Sequence, residues 1–185
     1  MTCSWCSTPL PLRRRGDARF CSSRCRLAAH RALPAAELRS RDRWVRFAAD
    51  KRPLTASGSW GSSTNAATWC DYATAAASTA GVGIGFVLNG DGIVCVDLDH
   101  CLDGRGRLTP WAAELLADLP DTYVEVSPSG HGLHVWGFGD VVKGRKSDGV
   151  EVYGTGRYLT VTGKRWRHSG ATFCRLDDWI DSLPL

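Results

Sequence analysis

Apolar and polar positions alternate in several segments of the chain and recur with helical spacing in others, which sorts it into strands and helices before any chemistry is considered. In GVGIGF, Val82, Ile84 and Phe86 fall on one strand face and Gly81, Gly83 and Gly85 on the other. A face without side chains admits close approach of a ligand, and equally relieves crowding against a neighbouring helix. The turn Asn89-Gly90-Asp91-Gly92 suits a hairpin and predicts pairing of this strand with the next, residues 93–99. TPWAAELLADLP predicts a helix with Thr109 as its cap and Pro110 in its first turn. TYVEV and LHVWGF predict strands joined by the Gly-rich turn SPSGHG, with His134 and Trp136 on one face and Leu133 and Val135 on the other. GVEVYGTGRYLTVTG predicts a last hairpin in which Glu151 and Tyr153 face one way, Val150 and Val152 the other.

Upstream, AAELRSRDRWVRFAAD has helical spacing with Trp44, Val45 and Phe47 on its apolar side and stops before KRPL. Residues 53–65 form a turn-rich loop, and residues 66–78 a helix around Trp69 and Tyr72. The predicted organisation is a small module over 1–33, a connecting helix over 34–50 and a main body over 51–185.

The 185 residues, 43% of them apolar, suffice for one main domain with a core. The longest uncharged stretch, residues 72–90, is broken by four glycines and several polar residues, so a helix followed by a strand fits it better than a membrane span. Without the basic and apolar regions of a secretory signal at its start, the chain is expected in the reducing cytoplasm, with its eight cysteines as thiols or metal ligands. The net charge of +4 is unevenly shared. Residues 1–50 carry eleven Lys or Arg against four Asp or Glu, a net of +7; the remainder carry twelve against fifteen, a net of −3. A basic head of this kind points to phosphate contacts.

That head holds CSWC and, fourteen residues on, CSSRC. Cys3, Cys6, Cys21 and Cys25 are the donor set zinc prefers, and a helix beginning there, capped by Ser22 or Ser23, would turn Cys21 and Cys25 to one side. Two cysteine pairs, the second opening a helix, resemble a treble-clef zinc finger over the first thirty residues or so. Four thiolates close the coordination sphere, so the expected Zn2+ is structural. His30 lies one turn further along and is expected to be exposed. Arg13, Arg14, Arg15, Arg19, Arg24 and Arg26 surround the expected site and suit a DNA backbone. Cys70, Cys95, Cys101 and Cys174 show no paired spacing and are expected to be core or incidental thiols.

In GIVCVDLDHCLD an apolar strand runs into Asp97, Asp99 and Asp103. Alternation puts Asp97 and Asp99 on one face roughly 7 Å apart, with Val96 and Leu98 pointing into the core. Aspartate is disfavoured in strands and like charges repel, so a cation is the natural compensation; a solvated strand end is the competing explanation and suits Asp103 well. His134 reads either as an ordinary satisfied residue or, following a turn able to offer backbone N–H groups from Ser129 and Gly130, as a phosphate contact. His131, within that turn, is the weaker candidate. Glu151 is a candidate third carboxylate, and Lys143, Arg145, Lys146 and Arg157 are candidate phosphate contacts.

VDLD, then SGHGLH, then VEVY, each on a strand and in that order, resemble the three motifs of the archaeo-eukaryotic primase superfamily, specifically the primase-polymerase branch of phages and plasmids. The resemblance covers about residues 51–163. It implies an α+β fold, a mixed sheet of RNA-recognition-motif type flanked by helices, with Asp97, Asp99 and Glu151 holding two Mg2+ or Mn2+ ions and His134 touching the incoming triphosphate. It further implies a nucleotidyltransferase adding NTP or dNTP on a DNA template in phage or mobile-element replication. Relatives often carry a helicase, so a separately encoded one is an expected partner, and no membrane is. Two other classes use the same residues: a metal-dependent nuclease, and a zinc-dependent DNA-binding module with a body that does not catalyse.

Overall fold

A computed structural model describes Cys3, Pro9, Leu10, Ala18 and residues 20–166 and 169–185, with only the backbone of residues 29–31. The chain divides into two compact units, Met1–Leu33 and Pro34–Leu185. In the first, α1 spans Ser23–Arg31, and the Ser22 hydroxyl accepts from the Cys25 N–H at 3.1 Å, so of the two candidate caps it is Ser22 that serves.

The second unit contains α2 (Ala36–Arg39), β1 (Trp44–Phe47), β2 (Pro53–Leu54), α3 (Tyr72–Ala77), β3 (Gly83–Asn89), β4 (Ile93–Leu98), α4 (Pro110–Leu115), β5 (Tyr123–Val126), β6 (Leu133–Phe138), β7 (Arg145–Ser147), β8 (Val150–Tyr153), β9 (Thr155–Val161) and α5 (Asp177–Ser182). The class is α+β, as expected, with the strands shared between two antiparallel sheets. One runs β2-β1-β3-β9, the other β5-β6-β4-β8-β7. The five-stranded sheet has a core on each face. Val94, Val96, Leu98, Leu133, Val135, Val150 and Val152 pack with Ala112 of α4 and Trp179 and Ile180 of α5. Ile93, Cys95, Tyr123 and Trp136 pack on the opposite side with Trp44, Phe86, Leu88, Leu159 and Val161 of the other sheet. Phe86 joins the two sheets edge-on, its centroid 5.3 Å from Trp44 and 6.0 Å from Trp136, contacts worth about 0.5–1.5 kcal/mol each beyond burial.

This layering corrects several local expectations. The connecting helix over 34–50 is instead the single turn of α2 followed by β1, both within the second unit. Apolar residues at 44, 45 and 47 fit either period, and pairing with β3, Trp44 opposite Phe86, decides for strand. The helix over 66–78 breaks into a 3₁₀ turn, Ala66–Thr68, and α3, because Asp71 caps α3 through the Thr74 N–H at 2.9 Å. Neither hairpin forms: β3 pairs with β1 and β9, while β4 pairs with β6 and β8, so 89–92 and the β8–β9 junction each cross between sheets. Facing layers bury Phe86 and Leu88 against Cys95 and Trp136, which side-by-side strands would not. Thr109 occupies the cap position of α4, yet its hydroxyl donates to the Cys101 carbonyl at 3.3 Å.

The glycine face of β3 is filled by the protein's own rings. A Cβ on Gly83 would stand 2.6 Å from the Phe47 ring, and one on Gly85 2.4 Å from Tyr158. Gly85→Ala should therefore lower stability by about 1–3 kcal/mol in thermal or denaturant unfolding; an unchanged midpoint would mean that the face is open to a ligand.

Candidate active site

One transverse row of side chains crosses the five-stranded sheet on the face turned toward the other sheet. The register sets Glu125 opposite His134, His134 opposite Asp97, Asp97 opposite Glu151, and Glu151 opposite Lys146. The predicted faces of Asp97, His134 and Glu151 hold, since Val96, Leu98, Leu133, Val135, Val150 and Val152 all enter the opposite core.

Contacts run along this row. His134 Nε2 lies 3.6 Å from Asp97 Oδ1, and its Nδ1 lies 3.3 Å from Glu125 Oε1. Glu125 is fully buried and accepts from the N–H of Thr162 at 3.2 Å, the N–H of Gly163 at 2.8 Å and the Tyr123 hydroxyl at 3.1 Å. At the other end Lys146 Nζ pairs with Glu151 Oε1, and the Tyr153 hydroxyl donates to Glu151 Oε2 at 2.6 Å. The Arg157 guanidinium lies 5.1 Å over the Tyr153 ring. Asp99 is exposed just beyond the strand.

Charge is unevenly compensated. Burial pushes the Asp97 carboxyl above the usual range; His134 and Lys51 oppose this, while Asp99 and Glu151 reinforce it. Burial would pull the His134 imidazole down, but its bond to Glu125 and the charges of Glu125, Asp97 and Asp99 prevail and raise it. Burial also pushes Glu151 upward, and its bonds from Lys146 and Tyr153 outweigh that and lower it. Asp97 Oδ1 is buried and accepts no hydrogen bond among the described residues. A buried carboxylate oxygen left so is costly, and all-oxygen donors suit a hard divalent cation. Asp97 therefore fits a metal, with Asp99 and Glu151 flanking it. The three carboxylates do not close into a tight cluster: among the described residues only Cys3, Cys21 and Cys25 bring three such ligand atoms within 4.8 Å of one another.

The turn before His134 spends several amides internally. The Gly130 N–H donates to the Ser127 carbonyl at 3.0 Å, His131 N–H to Ser129 Oγ at 3.2 Å and Gly132 N–H to Ser127 Oγ at 3.2 Å. Ser129, Gly130 and His131 are exposed. Lys146 and Arg157 lie at the row, whereas Arg145 reaches α5, its Nη2 3.4 Å from Asp181 Oδ1. Asp103 is bound locally, accepting from Arg107 Nε at 2.9 Å, as a solvated turn residue should. Sequence reasoning passed over Glu125. Its signal was a lone acid amid the apolar residues of TYVEV, two strand positions from Tyr123, and opposite His134 once the hairpin is centred on SPSGHG.

In the first unit Cys21 Sγ lies 3.4 Å from Cys25 Sγ, and Cys3 completes the cluster. Cys6, Arg13, Arg14, Arg15 and Arg19 lie outside the described residues, as does the His30 side chain. Arg24 and Arg26 are exposed on α1. Cys95 and Cys101 are buried core thiols, and burial pushes Cys101 up to about 12. Among the described residues no helix is long and apolar enough to cross a membrane.

Comparison with known proteins gives this geometry a family. A DNA primase-polymerase of Nitratiruptor phage NrS-1 is 42% identical over 119 residues, 58% of this chain and 16% of the phage protein, so the chain spans under a fifth of that relative's length. Residues 27–185 match the family model described as bifunctional DNA primase/polymerase, N-terminal. The row of Glu125, His134, Asp97 and Glu151 falls inside that match, and the chain belongs to the Prim-Pol family.

Proposed function

We propose that the row catalyses addition of nucleotides to DNA on a DNA template, in phage or mobile-element replication inside a bacterial host's cytoplasm. The observation that carries this reading is the buried, unbonded Asp97 Oδ1 on the middle strand of the sheet, flanked across both neighbouring strands by His134 and Glu151. Asp97, Asp99 and Glu151 would hold two Mg2+ or Mn2+ ions. When bound, such ions lower the pKa of a primer 3′-hydroxyl and neutralise charge on departing pyrophosphate. The chain's own residues position the substrate. His134, fixed from behind by Glu125, presents Nε2 toward the triphosphate, and Lys146 is the cation a phosphate can draw from Glu151. Ser129, Gly130 and Arg157 are the proposed further phosphate contacts. A separately encoded helicase would complete the replication machinery.

Incubating the protein with template, nucleotides and Mn2+ should yield elongated products. Shortened DNA without nucleotide would mean a nuclease instead.

The cysteine cluster is proposed as a structural Zn2+ site, with Cys6 as fourth ligand and Arg13, Arg14, Arg15, Arg19, Arg24 and Arg26 available to the DNA backbone. Elemental analysis should give about one zinc per chain. Cys25→Ser should remove most of it, and a wild-type protein free of zinc would overturn the assignment.

A further inference from the structure

The loop between β2 and α3 holds an aromatic side chain without an evident structural task. Trp60 is 62% exposed, the most exposed aromatic among the described large hydrophobic residues. Its backbone is nevertheless held firmly. Trp60 bridges Leu54, the Gly61 N–H donates to the Pro53 carbonyl at 2.9 Å, and a Cβ on Gly61 would stand 3.0 Å from the Leu54 backbone. The Arg52 guanidinium lies 4.0 Å over the indole and is itself fixed by Asp50, Nε to Oδ2 at 2.6 Å. A large ring kept rigid and exposed, with a cation stacked on it, is the construction used to stack nucleic-acid bases.

Hydrogen bonds tie this segment to β9 at two points. Arg52 follows Lys51, a non-glycine residue at φ 64°. That backbone is clamped: the Lys51 N–H donates to the Ala48 carbonyl at 2.9 Å and the Tyr158 hydroxyl donates to the Lys51 carbonyl. Further along, Ser63 Oγ donates to the Gly156 carbonyl at 3.0 Å, next to Arg157, whose guanidinium lies over the ring of Tyr153, the residue that donates to Glu151. The loop carrying Trp60 is thereby held against β9, the strand that brings Arg157 to the Glu151 end of the row.

We infer that Trp60 and Arg52 form a stacking platform for the bases of single-stranded DNA on its way to the row, with Lys51 and Arg157 as the cations that meet its phosphates. The inference rests on the proposed nucleotide-addition site. A nucleobase could reach the ring from a strand or from a free nucleotide; with His134 and Lys146 given to the triphosphate, the ring is assigned to the strand.

The test is fluorescence anisotropy of a labelled oligothymidylate with the full chain, without nucleotide or divalent ion. Trp60→Ala should bind it roughly 5- to 150-fold more weakly, the range expected for one lost base stack, while Trp60→Phe should stay within a few-fold of wild type. Because Trp60 is exposed, neither variant should unfold, and circular dichroism checks this. Unchanged affinity in Trp60→Ala, or equal weakness in Trp60→Phe, overturns the platform. So does a raised KM for nucleotide with unchanged oligonucleotide affinity, which would give the ring to the incoming nucleotide. If Trp60-dependent binding is found in a wild-type protein that extends no primer, the platform stands and the catalytic reading alone falls.

Discussion

Asp97→Asn should lower nucleotide addition roughly a thousandfold or more, the scale on which losing a group that balances transition-state charge is felt, without lowering the melting temperature of the metal-free protein. The two halves of this expectation have one cause. Asp97 sits between His134 and Glu151 in the central strand, largely desolvated, with Oδ1 accepting no hydrogen bond among the described residues. Its carboxyl is raised above its ordinary value, so in the folded chain the ionised form at neutral pH is disfavoured relative to the unfolded one. Removing the charge relieves that cost and removes the proposed metal ligand together. Added Mn2+ should raise the melting temperature of wild type and leave that of the variant unmoved, because only a ligand that binds the native state stabilises it. An Asp97→Asn protein that melts well below wild type would mean that the carboxylate serves the fold.

Glu125→Ala should do the reverse, striking the fold first. Glu125 is completely buried and satisfies two backbone N–H groups, the Tyr123 hydroxyl and His134. Truncation strands all four at once, and removing one partner from a buried charged network costs about 3–5 kcal/mol. For a chain of this size that lowers the melting temperature by about 6–20 °C. Glu125→Gln keeps the shape and one acceptor oxygen but puts an amide N–H2 against groups that donate, so it should melt between wild type and Glu125→Ala. Calorimetry gives the order directly. Three indistinguishable melting curves would mean that the network carries none of the stability assigned to it.

What the sequence disclosed and what it withheld follow from the range of the forces involved. Side-chain alternation is local, so the faces of Asp97, His134 and Glu151, and the opposing apolar faces of Val96, Val135 and Val152, could be read without a structure. So could the capping of α1 by Ser22 or Ser23, which depends on residues three positions apart, with the structure choosing Ser22. Strand partners are not local. The Asn89–Gly92 turn suits a hairpin in isolation, yet burying Phe86 against Trp136 across two layers outweighs that preference. Trp44 to Phe47 was too short to separate a helical from a strand period, and pairing with β3 supplied the answer. Glu125 stayed hidden because a single acid on a strand looks like a solvated position until its register with His134 is known.

The central claim is that Asp97, Asp99 and Glu151 together hold divalent cations beside a triphosphate. It is tested most directly by crystals grown with Mn2+ and a non-hydrolysable nucleotide, with manganese located by its anomalous scattering. The account requires peaks within coordination distance, about 2.2 Å, of Asp97 and its two acidic neighbours, with the triphosphate between them and His134. Manganese bound elsewhere, or a nucleotide seated away from this row, would contradict it.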